Sequence, residues 1–242
     1  MSFTQILPGE FEKSRINFLA PKPNKLGGQS VLINYQPGEA ERNGPFVLQT
    51  ARMRVPFGVD QSKPVNGEPV KYHVSLSMGD EASQNAHLVA FRESVRNIDE
   101  CAKNMAMTND KWFGKKLSAE LVNEFYKSSE KFPKDKKWDP TIKVKLPLDS
   151  RTGKPQFVIY DENKTEIKIV DDYGNVDLSA IPRGSEMVCL IQPTGVWFVG
   201  KTQFGVGYKL LQAKVFKTNK LSGYSIVDSD AEAEEEDVEH TE

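Results

Sequence analysis

Cysteine and histidine are scarce in this chain of 242 residues, which has two cysteines and three histidines. Cys101 and Cys189 stand alone, with neither a CxxC pair nor a Cys/His spacing, so the sequence predicts no zinc site and no disulfide framework. Catalysis by an imidazole is not expected either. His73 falls on the polar face of a predicted strand, where we expect it to be solvated.

Long apolar runs are also absent. No run approaches the roughly 20 residues that a helix needs to cross a bilayer. The first residues do not form a basic segment followed by an apolar one, as a secretory signal does. The sequence therefore predicts an intracellular protein with no membrane partner.

Enzyme motifs are missing as well. The triplet Gly205-Val206-Gly207 resembles part of a dinucleotide fingerprint, but the third glycine and the following helix are lacking. The chain has no P-loop, no GxSxG elbow and no HExxH helix. Aspartates that would have to gather two magnesium ions for a nuclease lie in turns, where aspartate is favoured for local backbone reasons. They are Asp135, Asp139, Asp149, Asp171 and Asp172. We expect no enzyme, no cofactor and no metal.

Lysine and arginine are absent from residues 228–242, which contain nine acidic residues. Removing those nine from the 34 acids leaves 25 acids against 32 bases, so the rest of the chain carries a net charge of about +7. Residues 221–242 also hold too few apolar side chains to fold, and they are predicted to form a disordered acidic tail. A basic body followed by an acidic tail is therefore expected.

The body reads as mainly β with a helical insertion, an α+β chain. Alternating apolar and polar residues predict strands at Lys71–Met78 and Thr141–Leu146, and a longer strand at Phe46–Val55. Apolar residues at three-four spacing predict an amphipathic helix from Glu81 to Met107. A shorter helix is predicted to follow, with Ser118 as its N-cap. Short strands separated by Gly/Pro turns indicate a small barrel.

Three parts follow from this reading. Residues 1–45 are predicted to form an N-terminal arm, largely without regular structure, and a first short strand. Residues 46–220 form the body, with its helical insertion at about 81–126. Residues 221–242 form the tail.

The stretch 187–216 predicts two apolar strands joined by a glycine-rich loop. Trp197, Phe198, Lys201 and Phe204 fall on this predicted loop, although an ordinary hairpin tip is small and polar. Rings held beside a cation suit a ligand with flat faces and negative charge, such as a nucleic-acid strand. Alternatively, the rings fold back and cap the core.

Further candidates for nucleic-acid binding lie on strand faces. Strict alternation in the last strand places Tyr208, Lys214 and Phe216 on one face with Gln212, a mixture typical of a single-strand binding surface. Basic residues on outer sheet faces would attract phosphates, and they are Arg52, Arg54, Lys143, Lys145 and Lys168. The basic segment 127–139 is either a clamp on the phosphate backbone or a solvated connection.

Residues at the end of the body carry a resemblance to a known group of proteins. The stretch Ile181 to Ser185, the strand to Pro193, then Trp197 and the glycines before Tyr208–Leu211 are similar to the OB-fold single-stranded DNA-binding proteins of viruses. The T7-type phage protein and the proteins of nucleocytoplasmic large DNA viruses form this group. The resemblance implies an OB-fold-like small barrel, and it implies that Trp197 contacts DNA. One departure is that phage tails of this kind end in an aromatic residue, whereas this tail ends in Thr241-Glu242.

Together these observations predict a non-catalytic protein that binds single-stranded DNA without sequence preference in viral replication, recombination or repair. It would act in the host cytoplasm or nucleus, with a tail that occupies its basic groove or recruits replication proteins. Two alternatives stay open. One is an RNA-binding protein on the same fold, and the other is a structural or chaperone-like protein that does not bind nucleic acid. The sequence also leaves a homo-oligomer open.

Overall fold

Strands and two helices make up the computed structural model, which describes residues 3–23, 28–62, 70–80, 82–135 and 137–217. The early strands are β1 (Thr4–Ile6), β2 (Ile16–Phe18), β3 (Lys22–Pro23), β4 (Gln29–Val31), β5 (Ile33–Tyr35), β6 (Phe46–Gln49), β7 (Met53–Arg54), β8 (Val59–Gln61) and β9 (Tyr72–Ser77). The helices are α1 (Ala86–Thr108) and α2 (Ala119–Phe125). The later strands are β10 (Glu130–Lys131), β11 (Thr141–Leu146), β12 (Val158–Tyr160), β13 (Glu166–Ile167), β14 (Glu186–Val199) and β15 (Gln203–Phe216).

One large sheet contains most of these strands, in the order β1-β6-β14-β15-β11-β9-β8. The antiparallel hairpin β14–β15 forms its centre, and β11 runs parallel to β15 on one side. This architecture confirms a mainly β protein with a helical insertion. Within the described residues no ladder joins β1 to β8, so the barrel expected from the sequence is not closed by hydrogen bonds there.

The core lies under the inner face of this sheet, where α1 packs. Ile142, Val144 and Leu146 of β11 point inward and are fully buried, as their alternation predicts. Phe91 and Ile98 of α1 meet this face at helical spacing. The Asn85 side chain caps α1 by accepting hydrogen bonds from the N–H groups of His87 and Leu88, which places the helix start a few residues later than predicted. No described helix has the length and apolar character to span a bilayer.

The glycine-rich connection predicted between the last two strands is instead part of them. Strand β14 runs on to Val199 and β15 starts at Gln203, which leaves only residues 200–202 as the turn. Gly195 shows why glycine occurs inside a strand here. It has φ of +130°, and a Cβ at this position would lie 2.3 Å from the Val31 carbonyl oxygen of β4. The glycine permits close approach of a neighbouring strand rather than a flexible loop.

A β-bulge changes the predicted faces of β15. Leu190 pairs with Gln212 and Ile191 pairs with Leu210, so Leu211 is an extra residue in its strand. Because one extra residue inverts the alternation, Tyr208 points into the core, as Ala213 does beyond the bulge. Strict alternation therefore placed Tyr208 on the wrong face.

Two earlier segments also differ from the prediction. The N-terminal arm contains regular strands, since β1 pairs in parallel with β6 and β2 pairs with β5. The predicted strand Phe46–Val55 is interrupted between β6 and β7. There Thr50 is buried and its hydroxyl oxygen accepts a hydrogen bond from the Cys189 N–H at 2.9 Å. The predicted acidic tail, 221–242, lies outside the described residues.

Candidate nucleic-acid interface

A basic cleft of about 290 Å³ opens on the outer face of the large sheet, beside the 127–131 segment. We call it the basic cleft. Its lining combines five basic side chains with small polar ones and one indole. The lining residues are His73, Lys127, Ser128, Ser129, Lys131, Lys143, Lys145, Thr194, Trp197, Val206, Gly207 and Tyr208.

Strand pairing aligns basic side chains in a row across this face, of which the two lysines are charged near pH 7. His73 of β9 lies opposite Lys145 of β11, and Lys145 lies opposite Lys209 of β15. The row continues to Gln192 of β14, the partner of Lys209. Like charges directly opposite each other on neighbouring strands destabilise a sheet. A row of this kind therefore favours an anionic ligand that spans several strands.

The electrostatics of the cleft reflect this crowding. Burial lowers the pKa of Lys209, and the charge of Lys145 lowers it further. Burial also lowers the pKa of His73 to about 4, and the charges of Lys143 and Lys145 add to the effect. The pKa of Lys131 is lowered by burial, with a contribution from Lys127. Each of these groups would gain from a nearby negative charge.

Trp197 lies at the edge of the cleft, on a surface made flat by glycine. It stands directly opposite Gly205. A Cβ added to Gly205 would come within 2.8 Å of the indole ring and within 2.7 Å of the Lys127 carbonyl oxygen. A Cβ at Gly207 would lie 3.6 Å from the same ring. The absence of side chains at Gly205 and Gly207 lets the half-buried indole pack across β15 and line the cleft.

The helical insertion positions the wall of the cleft through Asp99 of α1. This buried carboxylate accepts hydrogen bonds from the Tyr126 hydroxyl at 2.6 Å and from the Ser129 N–H at 2.8 Å. The hydroxyls of Ser128 and Ser129 also donate to it, at 3.2 and 2.6 Å. Burial raises the pKa of Asp99, and these hydrogen bonds oppose the rise. Asp99 thereby fixes the segment that carries Lys127 and Lys131.

A second ionic contact from α1 holds β10. Glu130 is buried and accepts hydrogen bonds from Arg92 Nε at 2.6 Å and from Arg96 Nε at 2.8 Å. Glu130 also pairs with Ile142 of β11. Because Glu130 is anchored on both sides, the neighbouring Lys131 is directed to the outer face near Lys143.

Four of the predicted binding residues line the basic cleft, namely Trp197, Tyr208, Lys143 and Lys145. Tyr208 does so only as part of the wall, since its side chain is 4% exposed and its hydroxyl faces Asp99. It is therefore not a stacking surface, which corrects the sequence-based prediction. The bulge at Leu211 is the reason.

The predicted stacking roles of Phe198 and Phe204 are also wrong. Both rings are buried, and they stack on each other with centroids 6.1 Å apart. Trp112 and Phe113 pack edge-on against both rings, from the connection between the helices. The alternative that these rings cap the core is the correct one for Phe198 and Phe204.

The remaining predicted cations are spread over the surface. Lys201 is exposed at the hairpin turn and lines a separate groove with Lys22 and Lys111. Lys168 is exposed and pairs with Asp172 at 2.5 Å. Neither of these two residues reaches the basic cleft.

A third group lies at the opposite end of the β14–β15 hairpin. Arg52 pairs with Glu186 at 2.6 Å and stacks over the Phe216 ring at 4.0 Å. Lys214 approaches the same ring at 5.1 Å. Arg54 is the strand partner of Glu186.

The cleft contains residues that the sequence reasoning did not select. His73 was expected to be merely solvated, yet it lines the cleft beside Lys145. Lys127 and Lys131 belong to the segment for which a clamp and a solvated connection were both considered. Lys209 lies between Tyr208 and the bulge in the sequence, but only its pairing with Lys145 gives it significance for binding. In the basic segment 127–139, the side chains of Phe132 and Trp138 are 65% and 60% exposed.

Three of the aspartates considered for a magnesium site, Asp135, Asp149 and Asp171, accept hydrogen bonds within local turns, whereas Asp139 accepts from the Ser77 hydroxyl and Asp172 pairs with Lys168. Asp149 accepts hydrogen bonds from the N–H groups of Thr152 and Arg151, and these bonds lower its pKa. Asp171 accepts from Asn175 in the same way, with the same effect on its pKa. Among the described residues, no three His, Cys, Asp or Glu side chains gather in a group that could hold a metal ion.

No protein-family profile and no curated protein sequence matches the chain. Solved structures do show a likeness. This chain is similar to gp2.5, a single-stranded DNA-binding protein encoded by bacteriophage T7, with a TM-score of 0.45 and 14% identity over 82% of this chain and 100% of that chain. It is also similar to the single-stranded DNA-binding protein from bacteriophage Enc34 in complex with ssDNA, with a TM-score of 0.43 and 14% identity over 85% of this chain and 98% of that chain. The function proposed below rests on the basic cleft alone.

Proposed function

We propose that this chain binds single-stranded DNA without sequence preference through the basic cleft. The observation that carries the proposal is the position of Trp197 beside the row of basic side chains His73, Lys145 and Lys209. Phosphates would neutralise the row and release counterions, which makes affinity depend on salt. A base would stack on the indole, a contact that contributes about 1–3 kcal/mol and tolerates any base.

The geometry favours a single strand over a duplex. The indole packs against the backbone at Gly205 and Gly207, and we expect its exposed part to contact DNA by stacking on the face of a base. In a duplex these faces are covered by neighbouring base pairs, whereas an open strand exposes them. Duplex DNA would therefore meet the cations of the cleft but not Trp197.

The biological role belongs to the same proposal. A protein that covers exposed strands without altering them would serve the replication, recombination or repair of viral DNA, in the host cytoplasm or nucleus. No step of this role requires catalysis. The acidic tail would recruit replication proteins when DNA has displaced it from the body.

We further propose that the tail inhibits binding. The nine acidic residues in 228–242 offer a negative segment that competes with phosphates for the basic cleft. Truncation after Asp228 is expected to tighten DNA binding, most strongly at low salt. Unchanged affinity of the truncated protein at low salt would contradict this part of the proposal.

Fluorescence anisotropy with labelled oligonucleotides of matched sequence tests the main proposal. Single-stranded DNA is expected to bind more tightly than the corresponding duplex, and different base compositions are expected to bind alike. Equal affinity for both forms, or no affinity even without the tail, would overturn it. The second outcome would favour the structural or chaperone-like alternative. Tighter binding of matched RNA would favour the RNA-binding alternative.

A pair of charge variants makes the test specific to the cleft. Lys145→Gln removes a cation from the row, and Lys168→Gln removes an exposed cation elsewhere. The magnitude of the slope of log affinity against log salt concentration is expected to decrease by about one for the first variant. It is expected to stay near the wild-type value for the second. Equal slopes for the two variants would place binding outside the basic cleft.

A further inference from the structure

A second groove lies on the outer face of the same hairpin, away from the basic cleft. Its volume is about 350 Å³, and we call it the distal groove. The far ends of β14 and β15 form its floor, and β12 and the turn after it form one wall. The lining includes Tyr160, Lys164, Val188, Leu190, Gln212 and Lys214.

The register of the hairpin makes the two sites parts of one surface. Trp197 and Gly205 form an outward pair at the basic cleft, and Gly195 and Gly207 form the next. Gln192 and Lys209 follow beyond the register shift between Pro193 and Gly195. Leu190–Gln212 and Val188–Lys214 continue the same face into the distal groove. The bulge at Leu211 keeps these pairs on one side, because it restores the outward direction of Gln212. From Trp197 to Leu190 the strand spans about 23 Å at roughly 3.3 Å per residue.

The groove combines apolar floor with cationic walls. Val188, Leu190 and Tyr160 are half-buried, so part of each side chain meets solvent. Tyr160 is the strand partner of Lys214 and therefore shares its face. In proteins that bind single-stranded nucleic acids, an aromatic side chain stacks on a base and a nearby lysine contacts a phosphate.

Lys164 supplies an independent indication of a role for this groove. It has φ of +66°, and it is the one non-glycine residue with positive φ among the described residues. Its turn is held by Asp161, whose carboxylate accepts hydrogen bonds from the N–H groups of Asn163 and Thr165. Glycine or asparagine adopts this conformation at a lower cost, and such outliers concentrate at functional positions. The lysine side chain lines the distal groove.

Arg52 lies at the end of the groove, where an ion pair and a ring contact fix its position. The guanidinium of Arg52 stacks on the Phe216 ring, which Lys214 of the groove also approaches. The Nε of Arg52 donates a hydrogen bond to the Glu186 carboxylate at 2.6 Å. The pair is solvent-exposed, with 54% and 41% side-chain exposure. A phosphate can compete with an exposed carboxylate for a guanidinium, since both accept the same hydrogen bonds.

We propose that the distal groove is a second contact site for single-stranded DNA, reached by strands too long for the basic cleft alone. This inference rests on the proposed function, because it takes the ligand class from the basic cleft. Continuity of the outer face and three cations, Lys164, Lys214 and Arg52, favour this occupant over an apolar partner. The stacking surface is Tyr160, and Glu186 holds Arg52 until a phosphate replaces it.

Oligonucleotide length separates the two sites. A strand of about 5 nucleotides would fill the basic cleft, and one of about 12 would extend into the distal groove, within the range known for OB folds. Lys164→Asn removes the cation but suits the left-handed backbone, so it is not expected to impair folding. It is expected to weaken binding of the longer strand by about three- to tenfold and to leave the shorter strand unchanged.

Glu186→Gln is the complementary variant, because it frees Arg52 for a phosphate. It is expected to tighten binding of the longer strand by about threefold and again to spare the shorter one. A gain of affinity cannot arise from partial unfolding. Lys168→Gln is the charge control for Lys164→Asn, and Glu100→Gln on α1, which also removes one exposed negative charge, is the charge control for Glu186→Gln.

The outcomes distinguish this inference from the proposed function. If the wild-type protein binds neither strand even after truncation of the tail, the proposed function fails and the inference fails with it. If both strands bind but Lys164→Asn and Glu186→Gln bind the longer strand as the wild type does, only the distal groove is overturned. Equal effects of either variant on both strand lengths would also overturn it.

Discussion

Lys145 of β11 and Lys209 of β15 lie directly opposite each other, two cations in register on neighbouring strands. Neither is paired with a carboxylate in the ion pairs of the described residues. Such a pair of like charges destabilises the sheet. The cleft therefore carries a stability cost in the free protein that an anionic ligand would offset.

Removal of one of these charges is expected to separate stability from binding. Lys145→Gln should raise the free energy of unfolding by a few tenths of a kcal/mol, because it relieves the repulsion of Lys209. The same variant should weaken binding of single-stranded DNA. Urea denaturation measures the first effect and anisotropy the second. A loss of stability together with unchanged binding would contradict the importance assigned to this pair.

The close packing of the Trp197 ring against Gly205 leads to a second prediction. Gly205→Ala would place a Cβ 2.8 Å from the indole and 2.7 Å from the Lys127 carbonyl oxygen, so the ring and the adjoining backbone must shift although no group that contacts DNA is removed. Binding is expected to weaken, with little change in the salt slope, as for Trp197→Ala. Gly200→Ala is a control for a general glycine effect, because its Cβ would meet no atom within 4 Å, although its φ of +58° strains the turn. Normal binding by Gly205→Ala would show that the position of Trp197 is unimportant.

Asp99 is expected to be the main polar determinant of the cleft wall. Asp99→Asn replaces an acceptor oxygen by a donor group against the donors of Tyr126 and Ser129, in a buried place. We expect a loss of about 2 kcal/mol or more in the free energy of unfolding, because buried donors lose their partners. Glu100→Gln on the exposed side of α1 is the matched control. Urea denaturation of both variants is the measurement, and equal stability of the two would contradict the prediction.

The position of His73 predicts pH-dependent binding. In the free protein the pKa of His73 is about 4, because of burial and of Lys143 and Lys145; Asp60 opposes this shift and Lys71 adds to it. A bound phosphate would raise that pKa, so binding would take up a proton and affinity would increase as pH falls from 7 toward 5.5. Oligothymidine is the suitable ligand, since its bases do not titrate in this range. Anisotropy should show a flat profile for His73→Gln, and the same rise in both proteins would exclude His73 as the source.

The same residue sets the sign for the stability of the free protein. Its folded pKa lies below the ordinary histidine value of 6.5, so the unfolded chain binds more protons between about pH 4 and 6.5. The contribution of His73 to stability is therefore present above pH 6.5 and is lost as pH falls through this window. Urea denaturation without DNA should show a smaller loss for His73→Gln than for the wild type over that range.

Local patterns predicted the elements well where the chain follows one period. The alternation in Thr141–Leu146 correctly directed Lys143 and Lys145 outward, because a strand with one buried face has a period of two. The three-four spacing of α1 and the cap at Ser118 were likewise confirmed. These signals are readable since each depends on neighbours a few residues apart.

The errors at the aromatic residues have a common physical origin. Phe198 and Phe204 were assigned to a loop because glycines surround them, yet those glycines accommodate the Val31 carbonyl and the Trp197 ring. Tyr208 was misplaced by the bulge at Leu211. Both features arise from contacts with distant segments, and periodicity within the strand does not contain them.

By itself, the sequence determined the partition of charge, the mainly β character with its helical insertion, and the presence of Trp197 among glycines near lysines. Only the tertiary structure decided which basic residues meet. His73, Lys145 and Lys209 come from three distant segments, and they form a row because the registers of β9, β11 and β15 align them. Register is set by burial of the opposite face and by bulges across the whole sheet, so no local pattern specifies it. The same long-range pairing turned two of the candidate aromatic loop residues inward and left Trp197 beside the basic cleft.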